Sequence, residues 1–168
     1  MLFELRDGTR VLIRPIKPED KPKLAAGLRS LSNETIRRRF LAAKPRFSSS
    51  ELCYLTELDG TNHIALVAVH ADFPDLLIAV ARCVRLPDRP DTAEFAIVVG
   101  DPWQGRGLGR ELAQRLADAA RAVGIRRFAA TMLADNEPAH RLMHTFSERL
   151  HEVPVAGGLR EVELPLSA

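Results

Sequence analysis

The stretch Trp103-Gln104-Gly105-Arg106-Gly107-Leu108-Gly109 decides how this chain is read. It stands between an apolar run, Phe95-Ala96-Ile97-Val98-Val99, and a periodic segment from Leu108 to Val123. That context spells strand, glycine-rich turn, helix. Glycines at every second position let backbone N–H groups converge on one point without interference from Cβ atoms. The helix that follows adds its own unpaired N–H groups and the positive end of its dipole. Such a turn suits a phosphate or pyrophosphate; the plain alternative is a structural turn. A dinucleotide fingerprint does not fit, because the glycines fall as G-x-G-x-G and the strands before them read as antiparallel.

Downstream of the turn, Leu108, Leu112, Leu116, Ala119 and Val123 share one helical face, and Gly124 ends the helix. Arg126 to Leu133 reads as a strand, so strand, helix and strand form a crossover with parallel strands. Asp135-Asn136-Glu137-Pro138 opens a last helix, with Asn136 as N-cap and Ala139, Leu142, Met143 and Phe146 inward. The tail, Leu150 to Leu166, offers two short strands around Gly157-Gly158. Upstream, His63 to His70, Leu76 to Leu86 and Thr92 to Val99 read as strands. Asp72 to Asp75 and Leu86 to Asp91 link them into an antiparallel meander. Nearer the N-terminus, Arg10 to Ile16 alternates as a half-buried strand. Pro18-Glu19-Asp20 starts a helix carrying Leu24, Leu28 and Leu31. Ser32-Asn33 caps a second short helix through Phe40. Ala43 to Ser50 is a loop by composition, and Glu51 to Leu58 reads as a third short helix. The expected architecture is a single α+β domain over residues 1–168, an α/β sandwich. Its central sheet is mixed and mostly antiparallel, flanked by helices on both faces.

The bulk properties agree. At 168 residues, 46% hydrophobic and 27% charged, the chain fits one globular domain. No apolar run approaches the roughly 18 residues of a spanning helix. The N-terminus carries charges where a signal peptide needs apolar residues, so a cytoplasmic location is expected. A net charge of +2 gives no nucleic-acid footprint. No aromatic residues interleave with the one basic cluster, Arg37-Arg38-Arg39. Cys53 and Cys83 lack metal or disulfide spacing and read as small core residues.

The turn Gln104-Gly105-Arg106-Gly107-Leu108-Gly109 matches the Q/R-x-x-G-x-G/A signature of the GNAT superfamily of acyl-CoA-dependent N-acyltransferases. Asn136, followed by Ala139 and Leu142, is similar to that family's N-x-x-A-x-x-L helix. The element order covers essentially the whole chain. Ala93-Glu94-Phe95 and Thr35-Ile36-Arg37-Arg38-Arg39-Phe40 resemble most closely the branch that contains bacterial protein lysine acetyltransferases. The resemblance implies that acetyl-CoA is the co-substrate and a primary amine, on a protein or a small molecule, the acceptor. Backbone amides of Gly105, Arg106, Gly107, Leu108 and Gly109 would then take the pyrophosphate, with Gln104, Arg106 and Arg110 beside it. The pantetheine arm would pair with the backbone of Ile97, Val98 and Val99, and Asn136 would touch the cofactor near its sulfur. The resemblance implies no metal, and dimers are common in the family.

The chemistry narrows the choice of catalytic residue. A lysine-like amine has a pKa of about 10.4, so near pH 7 only about one in 2,500 is neutral and able to attack a thioester. A general base is therefore valuable. Glu94, on the strand entering the turn, matches the family's strand glutamate; the competing reading is an exposed charge or an ion pair. A backbone N–H of Val98 or Val99 suits the developing oxyanion. Many family members place a tyrosine after the last-helix leucine to protonate the leaving thiolate. Met143 stands there instead, and Ser147-Glu148 replaces the family's Gly-Phe. The chain's only tyrosine, Tyr54, lies elsewhere in sequence. This departure motivates an alternative, a catalytically silent acyl-CoA-binding regulatory domain. His140 and His144 flank Met143 at i and i+4; they read as surface histidines, since a metal pair would need a third ligand that is not visible. In the family the N-terminal helices and tail strands line the acceptor groove. The arginine cluster would then lie at the groove's rim, favouring acidic surroundings on the acceptor, or form a solvated helix face.

Overall fold

The run His63-Ile64-Ala65-Leu66-Val67-Ala68-Val69 contains no acidic or strongly basic residue, so nothing prevents burial of both its faces. It forms the centre of strand β3 (His63–His70). Ile64, Leu66 and Ala68 join one core, while Ala65, Val67 and Val69 join the other. The computed structural model, which describes residues 1–167, builds two layers of helix around this strand and its neighbours.

The strands are β1 (Leu2–Glu4), β2 (Arg10–Pro15), β3, β4 (Leu77–Leu86), β5 (Arg89–Val99), β6 (Arg127–Leu133), β7 (His151–Val155) and β8 (Leu159–Pro165). They form one sheet in the order β1-β2-β3-β4-β5-β6-β8-β7. Every neighbouring pair is antiparallel except β5 with β6. The helices are α1 (Lys21–Arg29), α2 (Asn33–Phe40), α3 (Ser49–Thr56), α4 (Leu108–Ala122) and α5 (Glu137–His144). The mixed, mostly antiparallel sheet between helices is the expected architecture.

On one face α4 lays Leu108, Leu112, Ala113, Leu116, Ala117 and Ala120 against the sheet, all of them buried. Each fully buried leucine contributes about 2 kcal/mol of transfer free energy. Met143 of α5 and the stacked rings of Phe95 and Phe128 complete this core. The opposite core gathers Ile16, Leu24, Val67 and Val80, with Leu52, Leu55 and Val98 packed on it from α3 and β5. A buried carboxylate pins the entry to α1. Asp20 is 1% exposed and accepts two hydrogen bonds from the Arg14 guanidinium of β2, both 2.7 Å, and one from the Lys17 amide at 2.8 Å.

Several local expectations shift. Leu2–Glu4, not anticipated as a strand, forms the edge strand β1 against β2. Pro18–Asp20 is a short 3₁₀ turn, and α1 proper begins at Lys21. Helix α3 starts at Ser49, earlier than expected. Ser48 and Glu51 exchange backbone bonds in a capping box, a signal concealed inside a serine-rich loop. The Leu86 to Asp91 link is the expected hairpin, but tighter, with β5 already under way at Arg89 instead of Thr92. A register shift after Arg85 keeps Pro90 out of the paired ladder. Cys83 is buried, and burial pushes its thiol up to about 12; Cys53 is exposed on α3, contrary to its reading as a core residue.

Candidate active site

Strand β5 is the axis of the site. Along Ala93 to Val99 one edge pairs with β4 throughout. The other edge pairs with β6 only at Thr92–Arg127, Ala93–Phe128 and Glu94–Ala129, after which the two strands part. Crossovers of this kind require parallel strands, but α4 needs width to pack, and the glycine turn spends it by leading the chain away from the sheet. Ile97, Val98 and Val99 therefore border a cleft of about 320 Å³. The turn and first turn of α4 line it with Gln104, Gly105, Gly107, Gly109 and Arg110. Helix α5 contributes Asn136, Ala139 and Leu142, and α2 contributes Thr35, Arg38 and Arg39.

The turn has the conformation its glycines permit. Gly105 and Gly107 have φ of +73° and +91°, values that L side chains rarely adopt. A Cβ at Gly107 would meet nothing closer than the Arg6 Nε at 3.9 Å, so the constraint there is backbone strain and not crowding. Gly107→Ala is thus expected to cost about 1–2 kcal/mol from left-handed strain alone. On a chain of this size that lowers the melting temperature by roughly 2–8 °C in calorimetry. Gly109 lies within α4, where a Cβ finds only ordinary contact with Val99 at 3.7 Å, so Gly109→Ala should not share that loss.

The residues expected to hold the cofactor divide. Arg110 and the glycines line the cleft. Leu108 has its side chain in the core, 1% exposed, so only its backbone can serve a ligand. Arg106 departs from expectation: its guanidinium pairs with Asp7, and it is not among the residues lining the cleft. The turn lies beside the β1–β2 loop, where Asp7 offers a carboxylate that sequence proximity could not reveal. Gln104 donates through Nε2 to the Val99 carbonyl at 2.9 Å and to Thr35 Oγ1 at 3.3 Å. Asn136 is 7% exposed, and its Oδ1 accepts the Ala139 amide at 3.3 Å, capping α5 from within the cleft wall.

An unanticipated clasp holds α2 over β5. Asp101, just past the strand, accepts from the Ser32 amide at 2.9 Å, from Ser32 Oγ at 2.7 Å and from Thr35 Oγ1 at 2.7 Å. Burial alone would raise its carboxyl, but these donors outweigh burial and hold it below the usual carboxylate value. The clasp presents Arg38 and Arg39 to the cleft, while Arg37 stays exposed. Arg38 pairs with Glu34 at 2.8 Å. Arg39 is half-buried; burial lowers its pKa and the charge of Glu94 opposes that shift, which identifies the two as electrostatic neighbours. Asp101→Ala is expected to destabilise the chain by about 1–2 kcal/mol, as lost caps do. Faster amide exchange in α2, with β3 and β4 unchanged, would report the local loosening.

Glu94 occupies the last rung before β5 and β6 part. It lines a second space of about 290 Å³ with Arg89, Thr131, His151, Glu161 and Glu163. Arg89 and Glu163 pair there at 2.5 and 2.9 Å, so Glu94 and Glu161 leave the lining acidic. Deeper on this face Arg82, 6% exposed, donates to the Leu55 carbonyl at 3.1 Å and stands 3.1 Å from His63 Nε2. Burial, reinforced by Arg82, lowers His63 to about 4, so its ring stays neutral and can accept that bond. Tyr54 packs at a tilt against His63, ring centroids 5.0 Å apart, and is 59% exposed, away from both spaces. Met143 is 1% exposed and belongs to the core. His140 and His144 are not isolated: Glu152 of β7 lies 2.5 Å from His140 Nε2 and 3.8 Å from His144 Nε2.

Residues 30–146 match the model of the Acetyltransferase (GNAT) family. The chain belongs to that family. Its relatives are acetyltransferases by name. It is 32% identical over 162 residues to Acetyltransferase Pat of Mycolicibacterium smegmatis, an alignment covering 96% of this chain and 48% of that protein. The chain therefore spans about half the length of that relative. An acetyltransferase of Pseudomonas aeruginosa is 32% identical over 133 residues, 79% of this chain and 71% of the relative. Among solved structures, the GNAT domain of S. lividans PAT superposes with a TM-score of 0.87 at 29% identity, covering 99% of this chain and 96% of that one. The fold is shared more widely: yncA of Salmonella typhimurium, solved with its cofactor acetyl-CoA, gives a TM-score of 0.71 at 20% identity over 94% of both chains.

Proposed function

We propose that this GNAT domain transfers an acetyl group from acetyl-CoA to a primary amine, of a protein lysine or a small molecule, with Glu94 as general base. The observation carrying the proposal is the position of Glu94 on the rung where β5 and β6 separate, lining the space beside the cleft that Ile97 to Val99 border. The cleft suits the cofactor. Its glycine turn has positive-φ residues at the start of α4, and Arg110 adds a cation. The unpaired edge of Ile97 to Val99 is available to an extended arm. Bound there, acetyl-CoA supplies an electrophilic thioester.

The protein's own groups then account for the rest. The acidic lining formed by Glu94 and Glu161 draws in a protonated amine. The Glu94 carboxylate, kept charged company by Arg39, removes a proton so that the nitrogen lone pair can attack. A backbone N–H of Val98 or Val99 stabilises the oxyanion. A thiolate with a pKa near 8.5 leaves without strict need of an acid, so the burial of Met143 does not bar turnover. Because Met143 does remove the usual acid, a silent cofactor-binding domain is the second reading. Incubation with acetyl-CoA and a panel of amines and lysine peptides, reading free thiol, separates the two. Acceptor-dependent thiol release is expected; tight acetyl-CoA binding with no release across the panel would favour the silent domain.

A further inference from the structure

The last helix and the strand after its loop bring together three side chains that the acyl-transfer chemistry does not use. His140 and His144 lie four residues apart on α5, so one helical face presents both imidazoles. Glu152 of β7 closes the third corner, with one ring nitrogen of each histidine and a carboxylate oxygen all within 4.8 Å of one another. We propose that His140, His144 and Glu152 form a binding site for a divalent transition-metal ion, with Zn²⁺ as the natural fit.

The donor set and geometry support this. Two neutral imidazoles and a carboxylate suit Zn²⁺, and a water completes the tetrahedron. Ligand atoms at zinc distances of about 2.0–2.1 Å in a tetrahedron sit roughly 3.3 Å apart. The Glu152 separations of 2.5 Å to His140 and 3.8 Å to His144 bracket that value, and all three ligand atoms lie within 4.8 Å, so closing on an ion calls for side-chain rotation and not backbone movement. The carboxylate is already oriented. Its other oxygen accepts from Arg160 at 3.2 Å, and Arg160 is itself held by the Ala134 carbonyl at 3.0 Å. Such outer bonds fix a ligand's direction. Ca²⁺ and Mg²⁺ prefer all-oxygen sites and should not compete.

The position gives the ion a structural role. Helix α5 walls the cofactor cleft through Asn136, Ala139 and Leu142, while β7 borders the acceptor-side space through His151 and Val153. Glu152 lies between those two strand residues and faces the opposite way. An ion there ties one wall of each space to the other.

Titration calorimetry of untagged, chelator-treated protein with Zn²⁺ tests the site. One saturable equivalent is expected, with a rise in melting temperature and no response to Mg²⁺. His144→Ala and Glu152→Gln should each weaken binding by about tenfold or more, comparable to losing a supporting group at established sites. Both residues are partly exposed, so the variants should fold. Co²⁺ in place of Zn²⁺ should give visible ligand-field absorption that disappears in His144→Ala. Absence of saturable Zn²⁺ binding overturns the proposal. So does binding that both variants retain, since the ion would then sit elsewhere, for example at exposed Cys53.

Discussion

Glu94→Gln is expected to lower kcat/KM for acetyl transfer near pH 7 by about 10²–10⁴-fold, the usual contribution of a positioned base. The change preserves shape and the neighbouring rung of the sheet, so acetyl-CoA affinity should hold and the loss should appear in turnover. The pH profile discriminates further. Without a base the reaction must wait for amines already neutral, and the variant's rate should climb tenfold per pH unit toward the amine pKa of about 10.4. The wild type should level off earlier, and the two should converge at alkaline pH. A variant that keeps full activity throughout would remove Glu94 from this role and leave it as a partner for Arg39.

The second large effect concerns stability. Asp20→Ala leaves Arg14, whose side chain is 20% exposed, without its bidentate partner and frees the Lys17 amide. Breaking a buried pair from one side costs about 3–5 kcal/mol, and partial access of Arg14 to water favours the lower end. A loss of about 3 kcal/mol corresponds to roughly 6–12 °C in melting temperature for a chain of this size. Acid should reproduce part of it. Burial by itself would raise the Asp20 carboxyl, but the Arg14 bonds, the Lys17 amide and the Lys23 charge bring the net shift downward. A group depressed on folding stabilises fully above its unfolded pKa of about 3.9 and loses that contribution as pH falls through the folded value. Wild-type stability should therefore decline below about pH 4. The decline should be shallower in Asp20→Ala, which has no carboxylate there to protonate.

The parts of this fold legible in sequence are those written in local periodicity. The stripe from Leu108 to Ala120, the alternation in β2, the apolar runs of β3 and β5, and glycines at positive φ each carry their signal within a few residues. The cradle and the glutamate at its approach follow from those signals. What could not be read depends on partners distant in sequence. Asp101 reaches 66 and 69 residues back to Thr35 and Ser32, and Arg106 turns to an aspartate 99 residues away. No spacing rule connects such pairs. The histidines of α5 were visible as a helical pair, but their third companion arrives only because β8 pairs with β6 and leaves β7 outermost. Two adjacent tail strands look the same in sequence whichever of them docks inward.

The short seam between β5 and β6 has a consequence for how such a protein can diversify. Three residue pairs of the backbone ladder, with the Phe95–Phe128 stack and the Arg89–Glu163 pair, join a five-strand slab, β1 to β5, to a three-strand slab, β6, β8 and β7. The larger slab carries the glycine turn and Glu94, while the smaller bears His151 and Glu161 beside the space that Glu94 lines. A modest change of angle at that seam would reshape both spaces at once, since the cleft beside the glycine turn and the space beside Glu94 each draw residues from both slabs. The joint is thus a place where one change of angle would refit two neighbouring spaces together.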